Sequence, residues 1–295
     1  MARAISLVED ETADGVALIG EIFPHTGKAY LVGVTGAPGS GKSTLVDRVT
    51  AEVRRAGLTV GVIAVDPTSP FTGGAILGDR VRMNAHAGDA GVFIRSMATR
   101  GHLGGLARAT SDAALVLDAA GKDVVVIETV GVGQDEVEIV RTADISIVML
   151  VPGAGDDVQA IKAGIMEIAD IFVVNKADRE GADRVVQAIA ANLSLQSFGP
   201  ADWKPPILKT VATTGAGVDA LWREIGRFRE RAADRRAGRQ RARYEARLRD
   251  ILAQRFLEYV DRKLPAGEFQ RLIDGIASRA IDPYAAADQI VRSVF

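Results

Sequence analysis

The feature that most limits what this chain can fold into is AYLVGVTGAPGSGKST, Ala29 to Thr44. An apolar strand pattern breaks into a glycine-rich loop and restarts as a helix. Gly36, Gly41, Lys42 and Ser43 satisfy the spacing G-x-x-x-x-G-K-[ST]. Glycines let successive backbone N–H groups turn toward one point, and the following helix aims the positive end of its dipole there, so the loop is built for phosphate. Lys42 is expected to reach the β- and γ-phosphates, and the Ser43 hydroxyl to ligate Mg2+. Ala37, Pro38, Gly39, Ser40 and Thr44 complete the cradle.

Such a loop needs a parallel sheet to present it, and the chain supplies one. TVGVIAV (Thr59 to Val65), DVVVIET (Asp123 to Thr129), ISIVMLV (Ile145 to Val151) and IFVVNK (Ile171 to Lys176) are near-continuous Val/Ile runs, the mark of strands covered on both faces. A weaker strand is expected at Ile207 to Ala212, after Pro205-Pro206. Helical patterns fall between the runs at Lys42 to Ala56, Leu106 to Ala120, Asp156 to Ile168 and Ala182 to Leu193. The alternation predicts an α/β fold, a doubly wound and mainly parallel sheet of the P-loop type. Beyond Val218 only helical patterns remain, ending in short helices at Glu268 to Ser278 and Pro283 to Val294. Three parts are expected: an N-terminal helical segment (1–28), a nucleotide-binding domain (29–226) and a C-terminal helical extension (227–295).

Composition narrows the chemistry. The net charge of −2 argues against a generally basic nucleic-acid binder. Arg227 to Arg249 nevertheless holds ten arginines against Glu230, Asp234 and Glu245, a local balance of +7. A helical arm that pairs two subunits accounts for this stretch better than nucleic acid does. Cysteine is absent, so no thiolate metal site or cysteine nucleophile exists. No signal-peptide pattern and no bilayer-length apolar run is present, and a cytoplasmic protein without membrane contact is expected.

The base is read next. Guanine presents a ring N–H beside an exocyclic amine, and one carboxylate accepts both. VVNKAD offers Asn175, Lys176 and Asp178 as an N-K-x-D reader at a strand end. Lys176 is expected to lie along the base, and Asn175 to tie this loop to the phosphate loop. The turn Ala212-Thr213-Thr214-Gly215 suits the remaining base contact through backbone amides. GTP, not ATP, is the expected nucleotide. Glu128 heads ETVG, where many GTPases carry an aspartate-led D-x-x-G, either as a ligand of Mg2+ or as the group that orients water. Gly131 of that stretch is counted among the nucleotide contacts, and Asp66 and Asp79 are further candidates for the metal shell or catalysis.

VDPTSPFTGGAILGDRVRM (Val65 to Met83), FIRSMATRGHLGG (Phe93 to Gly105), ETVGVGQDE (Glu128 to Glu136) and Val151 to Asp178 together resemble the MeaB/ArgK family. The family comprises P-loop GTPases of the SIMIBI type associated with methylmalonyl-CoA mutase. The resemblance implies Mg2+-dependent GTP hydrolysis, GDP as product, dimers, and a chaperone that gates adenosylcobalamin delivery to a cobalamin-dependent acyl-CoA mutase and protects or reactivates it. On that resemblance Lys42 and Ser43 serve phosphate and metal, Asp66 and Asp79 lie in the first switch and metal region, and Glu128 lies in the second switch. Two departures stand out: a short N-terminal segment, and Met97-Ala98 where a proline-serine pair is expected in a partner-sensing loop.

Slow intrinsic turnover accelerated by a partner is expected, because Gln134 lies three places beyond Gly131 rather than directly after it. Two rivals remain. A metal-inserting GTPase needs clustered histidine or cysteine, and His25, His86 and His102 are scattered. A kinase acting on amino-acid-binding transport proteins is disfavoured by the guanine reader. The base-off cobalamin signature D-x-H-x-x-G is also missing, since Arg100 precedes His102 at the critical place, so the mutase is expected to supply the cobalamin site.

Overall fold

The computed structural model describes residues 1–66, 84–86, 88–98, 105–129, 142–153, 168–199 and 202–294. Among these, seven strands form one sheet: β1 (Tyr30–Gly36), β2 (Val60–Asp66), β3 (Val92–Ala98), β4 (Val124–Glu128), β5 (Ile145–Leu150), β6 (Ile171–Val174) and β7 (Ile207–Lys209). Their spatial order is β3-β2-β4-β1-β5-β6-β7, and every pairing is parallel. Helices α1 (Ala2–Glu9), α2 (Ala13–Ile22), α3 (Lys42–Arg55), α4 (Gly105–Ala119), α5 (Ala182–Ser194) and α6 (Val218–Arg231) accompany it. The expected helix at Asp156 to Ile168 lies, apart from Ile168, outside the described residues.

The apolar runs are continuous because alternate residues serve two cores. Val32, Val34, Val62, Val126, Ile147 and Val173 face α3 and α6, meeting Leu45, Val49, Leu221 and Phe228. On the opposite face Ile63, Val125 and Ile127 meet α1 and α4 through Ile5, Val8, Ala113 and Leu117, while Val148, Leu150, Phe172 and Val174 meet α5 through Ile189 and Leu193. The N-terminal helices therefore close part of the sheet's second face. The Thr12 hydroxyl caps α2 by accepting from the Gly15 amide at 3.0 Å.

Aspartates fasten the amino edge of the sheet. Asp123, just before β4, accepts from the Thr59 amide (2.7 Å) ahead of β2. Asp144, before β5, accepts from the Leu31 amide in β1 (3.0 Å), and Asp170, before β6, from the Ser146 amide in β5 (2.9 Å). Asp118 at the end of α4 gathers the amides of Gly27, Lys28 and Ala29 at 2.6, 3.2 and 2.9 Å. Each carboxylate fixes the register of a neighbouring strand with a charge-assisted bond.

One expectation is corrected. FIRSMA is not a loop: it belongs to β3, the edge strand paired with β2 along its full length. Arg95 and Ser96 interrupt its apolar pattern, which hid it. The Arg95 guanidinium is drawn back to α1, donating to Glu9 (2.5 Å) and to the Ser6 hydroxyl (3.1 Å). Met97 is fully buried in the core beside α1 and α4, so it is a packing residue rather than part of a sensing loop. The strands expected to run to Lys176 and Ala212 also stop earlier, at Val174 and Lys209. Lys176 adopts φ +54°, which no strand continues through.

The chain divides into two compact units, Met1–Arg239 and Gln240–Phe295. The boundary falls within helix α7 (Ala233–Lys263). Helices α8 (Glu268–Ala277) and α9 (Pro283–Val294) follow in the second unit, where Val260, Leu272 and Ala286 are buried. Among the described residues no helix is long and apolar enough to cross a membrane.

Candidate functional site: a phosphate loop and a guanine reader joined by one asparagine

The strand order reverses at β1, which lies between β4 and β5, so a crevice opens beyond the carboxyl ends of these strands. The phosphate loop emerges there from β1 and leads into α3. Two glycines are obligatory. A Cβ on Gly36 (φ +148°) would lie 2.3 Å from the Met149 carbonyl oxygen, and one on Gly41 (φ +93°) would lie 2.6 Å from Asn175 Nδ2. Lys42 is buried, and its Nζ donates to the Gly36 and Ala37 carbonyls at 2.7 and 3.2 Å. The ammonium is thus held inside the loop, where a phosphate's charge would meet it.

Beside it, the Ser43 hydroxyl donates to Glu128 Oε1 at 2.6 Å. Glu128 ends β4 and is 3% exposed. A hydroxyl and a carboxylate brought together at the foot of a phosphate loop are the hard oxygen donors that Mg2+ takes, so the residues fit that ion. The next residue, Thr129, donates its hydroxyl to Thr35 at 2.9 Å and its amide to the Val34 carbonyl at 3.1 Å. The chain leaving β4 is therefore bound to the strand that carries the phosphate loop. Asp66 closes β2 opposite Ala98, two residues beyond Ala64, which pairs with Glu128. Asp79, Gly131 and Gln134 lie outside the described residues.

The N-K-x-D segment follows β6, two strands from β1 in the sheet. Asn175 is 2% exposed and joins three loops. Its Nδ2 donates to the Ser40 carbonyl (2.8 Å), and its Oδ1 accepts from the Thr210 hydroxyl and the Ala212 amide, both at 3.0 Å. Lys176 reaches across to donate to the Gly39 carbonyl at 2.7 Å. Asp178 is exposed, and no hydrogen bond or ion pair among the described residues engages its carboxylate. Phosphate loop, base loop and the 212–215 turn thus form one cradle, with Asn175 as the knot.

Two members of this cradle carry no motif signal. Thr210 contributes through its hydroxyl, and Arg48, on the phosphate-loop helix, donates from Nε to the Ala212 carbonyl (3.2 Å) and from Nη2 to the Thr213 carbonyl (2.9 Å). The Ala212 amide is committed to Asn175.

A parallel sheet with the phosphate loop at its switch point and a guanine reader two strands away defines a P-loop GTPase. The chain belongs to the MeaB family: the family model described as "Methylmalonyl Co-A mutase-associated GTPase MeaB" matches residues 1–266. A Pyrococcus abyssi protein is 52% identical over 297 residues, covering 99% of this chain and 92% of that one. GTPase ArgK of Escherichia coli is 41% identical over 238 residues, 78% of this chain and 71% of ArgK. Among solved structures, a protein named LAO/AO transport system kinase superposes with a TM-score of 0.72 at 29% identity, covering 99% of this chain and 91% of that one.

Proposed function

We propose that this GTPase is a chaperone of an adenosylcobalamin-dependent acyl-CoA mutase, methylmalonyl-CoA mutase or a close relative, gating cofactor delivery and protecting or reactivating the mutase. The family description supplies the partner. The observation that carries the nucleotide half is the Asn175 knot, which brings the phosphate loop and the base loop into one cradle.

Within the cradle Lys42 leaves the Gly36 and Ala37 carbonyls for the β- and γ-phosphates, and the backbone amides of residues 37–44 surround them. Asp178 accepts the two guanine N–H groups, Lys176 flanks the base, and the 212–213 turn meets the 6-oxo group. Glu128 Oε1 already takes the Ser43 hydroxyl, which favours the metal-ligand role for Glu128 over water orientation. Mg2+ held by Ser43 and Glu128, with Asp66 and Asp79 as further shell members, would neutralise charge on the phosphates. On this reading the partner accelerates turnover by repositioning a switch or contributing an arginine. The protein acts in the cytoplasm as a homodimer. Leu248, Leu252 and Phe256, spaced four apart on α7 and 57%, 58% and 43% exposed, supply an apolar stripe for a second copy.

GTP turnover measured with and without the organism's own mutase tests the proposal. The mutase is expected to raise turnover by at least about tenfold, and equal rates would defeat the chaperone reading. One solved neighbour bears the name of a transport system kinase. Transfer of radiolabelled γ-phosphate to a binding protein would favour that alternative.

A further inference from the structure

The turn that meets the 6-oxo edge of the base has an unusual support. Guanine recognition has two halves. Asp178 reads N1–H and the 2-amino group, and a backbone amide must meet the oxygen at position 6. An amide reads that oxygen only if its peptide plane is held, and residues 211–216 form a tight turn with one isolated bridge, Val211 to Ala216, rather than a strand.

Two side chains hold the turn from different sides. Asn175 Oδ1 takes the Ala212 amide, fixing the plane between Val211 and Ala212. Arg48 takes the Ala212 carbonyl with Nε, fixing the next plane, and the Thr213 carbonyl with Nη2. A trans peptide points its C=O and N–H in opposite directions, and the described backbone holds no cis bond. With the Ala212 carbonyl drawn to the guanidinium, the Thr213 amide is turned away from Arg48. The Thr214 amide is occupied by the Val211 carbonyl at 3.1 Å. That leaves the Thr213 amide as the turn's donor for a ligand. Arg48 belongs to α3, the helix whose first turn carries Lys42 and Ser43, so the same rigid rod sets the phosphate cradle and the base-reading turn. The arginine's planar fork suits two adjacent carbonyls in a way a single ammonium does not.

We propose that Arg48 is a positioning residue for guanine selection, holding the amide of the Ala212–Thr213 turn on the 6-oxo edge of the base. This rests on the guanine site proposed above. The test is equilibrium binding of three diphosphates to the full chain: GDP, IDP (which lacks the 2-amino group) and 6-thio-GDP (which has a poorer acceptor at position 6). In Arg48→Ala, GDP binding is expected to weaken about fivefold to tenfold, the loss of a pair of charge-assisted bonds at a partly exposed site. IDP weakens in the same proportion, so the GDP-to-IDP ratio is unchanged. The preference for GDP over 6-thio-GDP falls toward one. Arg48→Lys, which keeps a donor, recovers part of that preference. Wild-type GDP affinity in Arg48→Ala, or equal weakening of all three nucleotides with the 6-thio preference intact, overturns the proposal. A wild-type chain that binds ADP as tightly as GDP overturns instead the guanine site on which it rests.

Discussion

The two edges of the sheet use acidic side chains in opposite ways. At the amino edge Asp118, Asp123, Asp144 and Asp170 are all occupied by backbone amides of neighbouring segments. At the carboxyl edge Glu128 accepts from the hydroxyl of Ser43, itself a metal-type ligand, and Asp178 stands exposed. The residue type is the same, and what differs is the supply of N–H donors. Parallel strands entering a sheet present free amides to whatever precedes the next strand. Where strands leave it, the amides turn into the phosphate loop and the acids remain for ligand. On the proposed function, carboxylates on one edge set stability, and those on the other set affinity.

The largest effect separating the edges is expected from Asp178→Asn. Losing the paired acceptor for guanine should weaken GDP by a factor of several hundred, from about 3–4 kcal/mol of lost bonds to a charged group. The urea midpoint should stay at the wild-type value, because the side chain is exposed and no hydrogen bond or ion pair among the described residues engages it. Xanthosine diphosphate, whose 2-oxo group accepts from an amide, should bind the variant better than GDP does. Next in size is Asp118→Ala, which strands three amides and is expected to cost about 3 kcal/mol in urea unfolding. GDP affinity of the folded protein should not change. A large affinity loss in Asp118→Ala, or a large stability loss in Asp178→Asn, would erase the division between the edges. Asn175→Ala should fall between them and show both losses, since this residue belongs to the fold and the site at once: roughly 2 kcal/mol of stability and at least tenfold in GDP affinity.

The same division explains what could be read from the sequence. The apolar runs announce themselves because burial on both faces leaves no room for polar residues; β4, β5 and β6 lie within those runs, and β1 and β2 continue one or two residues past theirs, to Gly36 and Asp66. The strand β3 was hidden because Arg95 breaks its apolar pattern, and its compensation by Glu9 and Ser6 of α1 is a tertiary fact invisible in the run itself. The phosphate and base loops sit at carboxyl ends of β1 and β6, where glycine spacing and N-K-x-D have a local chemical meaning. Arg48 and Thr210 escaped notice because Arg48 acts on backbone carbonyls of a distant turn and Thr210 on the Asn175 side chain, contacts for which no spacing rule exists. The amino-edge aspartates escaped for the same reason: before a strand, an aspartate reads as an ordinary turn residue.

The smallest expected effect divides the amino edge itself. Asp123 and Asp170 occupy matching places before β4 and β6, yet their environments push their acidities in opposite directions. The Thr59 amide, and then its hydroxyl, hold the Asp123 carboxyl below the usual carboxylate range. Burial pushes the Asp170 carboxyl up, and the Arg239 guanidinium at 3.2 Å only partly offsets it. A depressed value in the fold means stability that is present above the ordinary carboxylate pKa, about 4, and is lost as pH falls through the depressed value. Asp123→Asn should therefore trail the wild type in urea midpoint at neutral pH, with the gap closing only in strong acid. A raised value works the other way: the charged form opposes folding at neutral pH, and the penalty is relieved as pH falls through the raised value. Asp170→Asn keeps an oxygen for the Ser146 amide and removes the buried charge. It should match or exceed the wild-type midpoint at neutral pH, and that margin should shrink as pH falls toward about 4. Urea midpoints of the two variants across this range are expected to slope oppositely relative to wild type. Parallel slopes would mean that the Arg239 pair, not burial, governs Asp170.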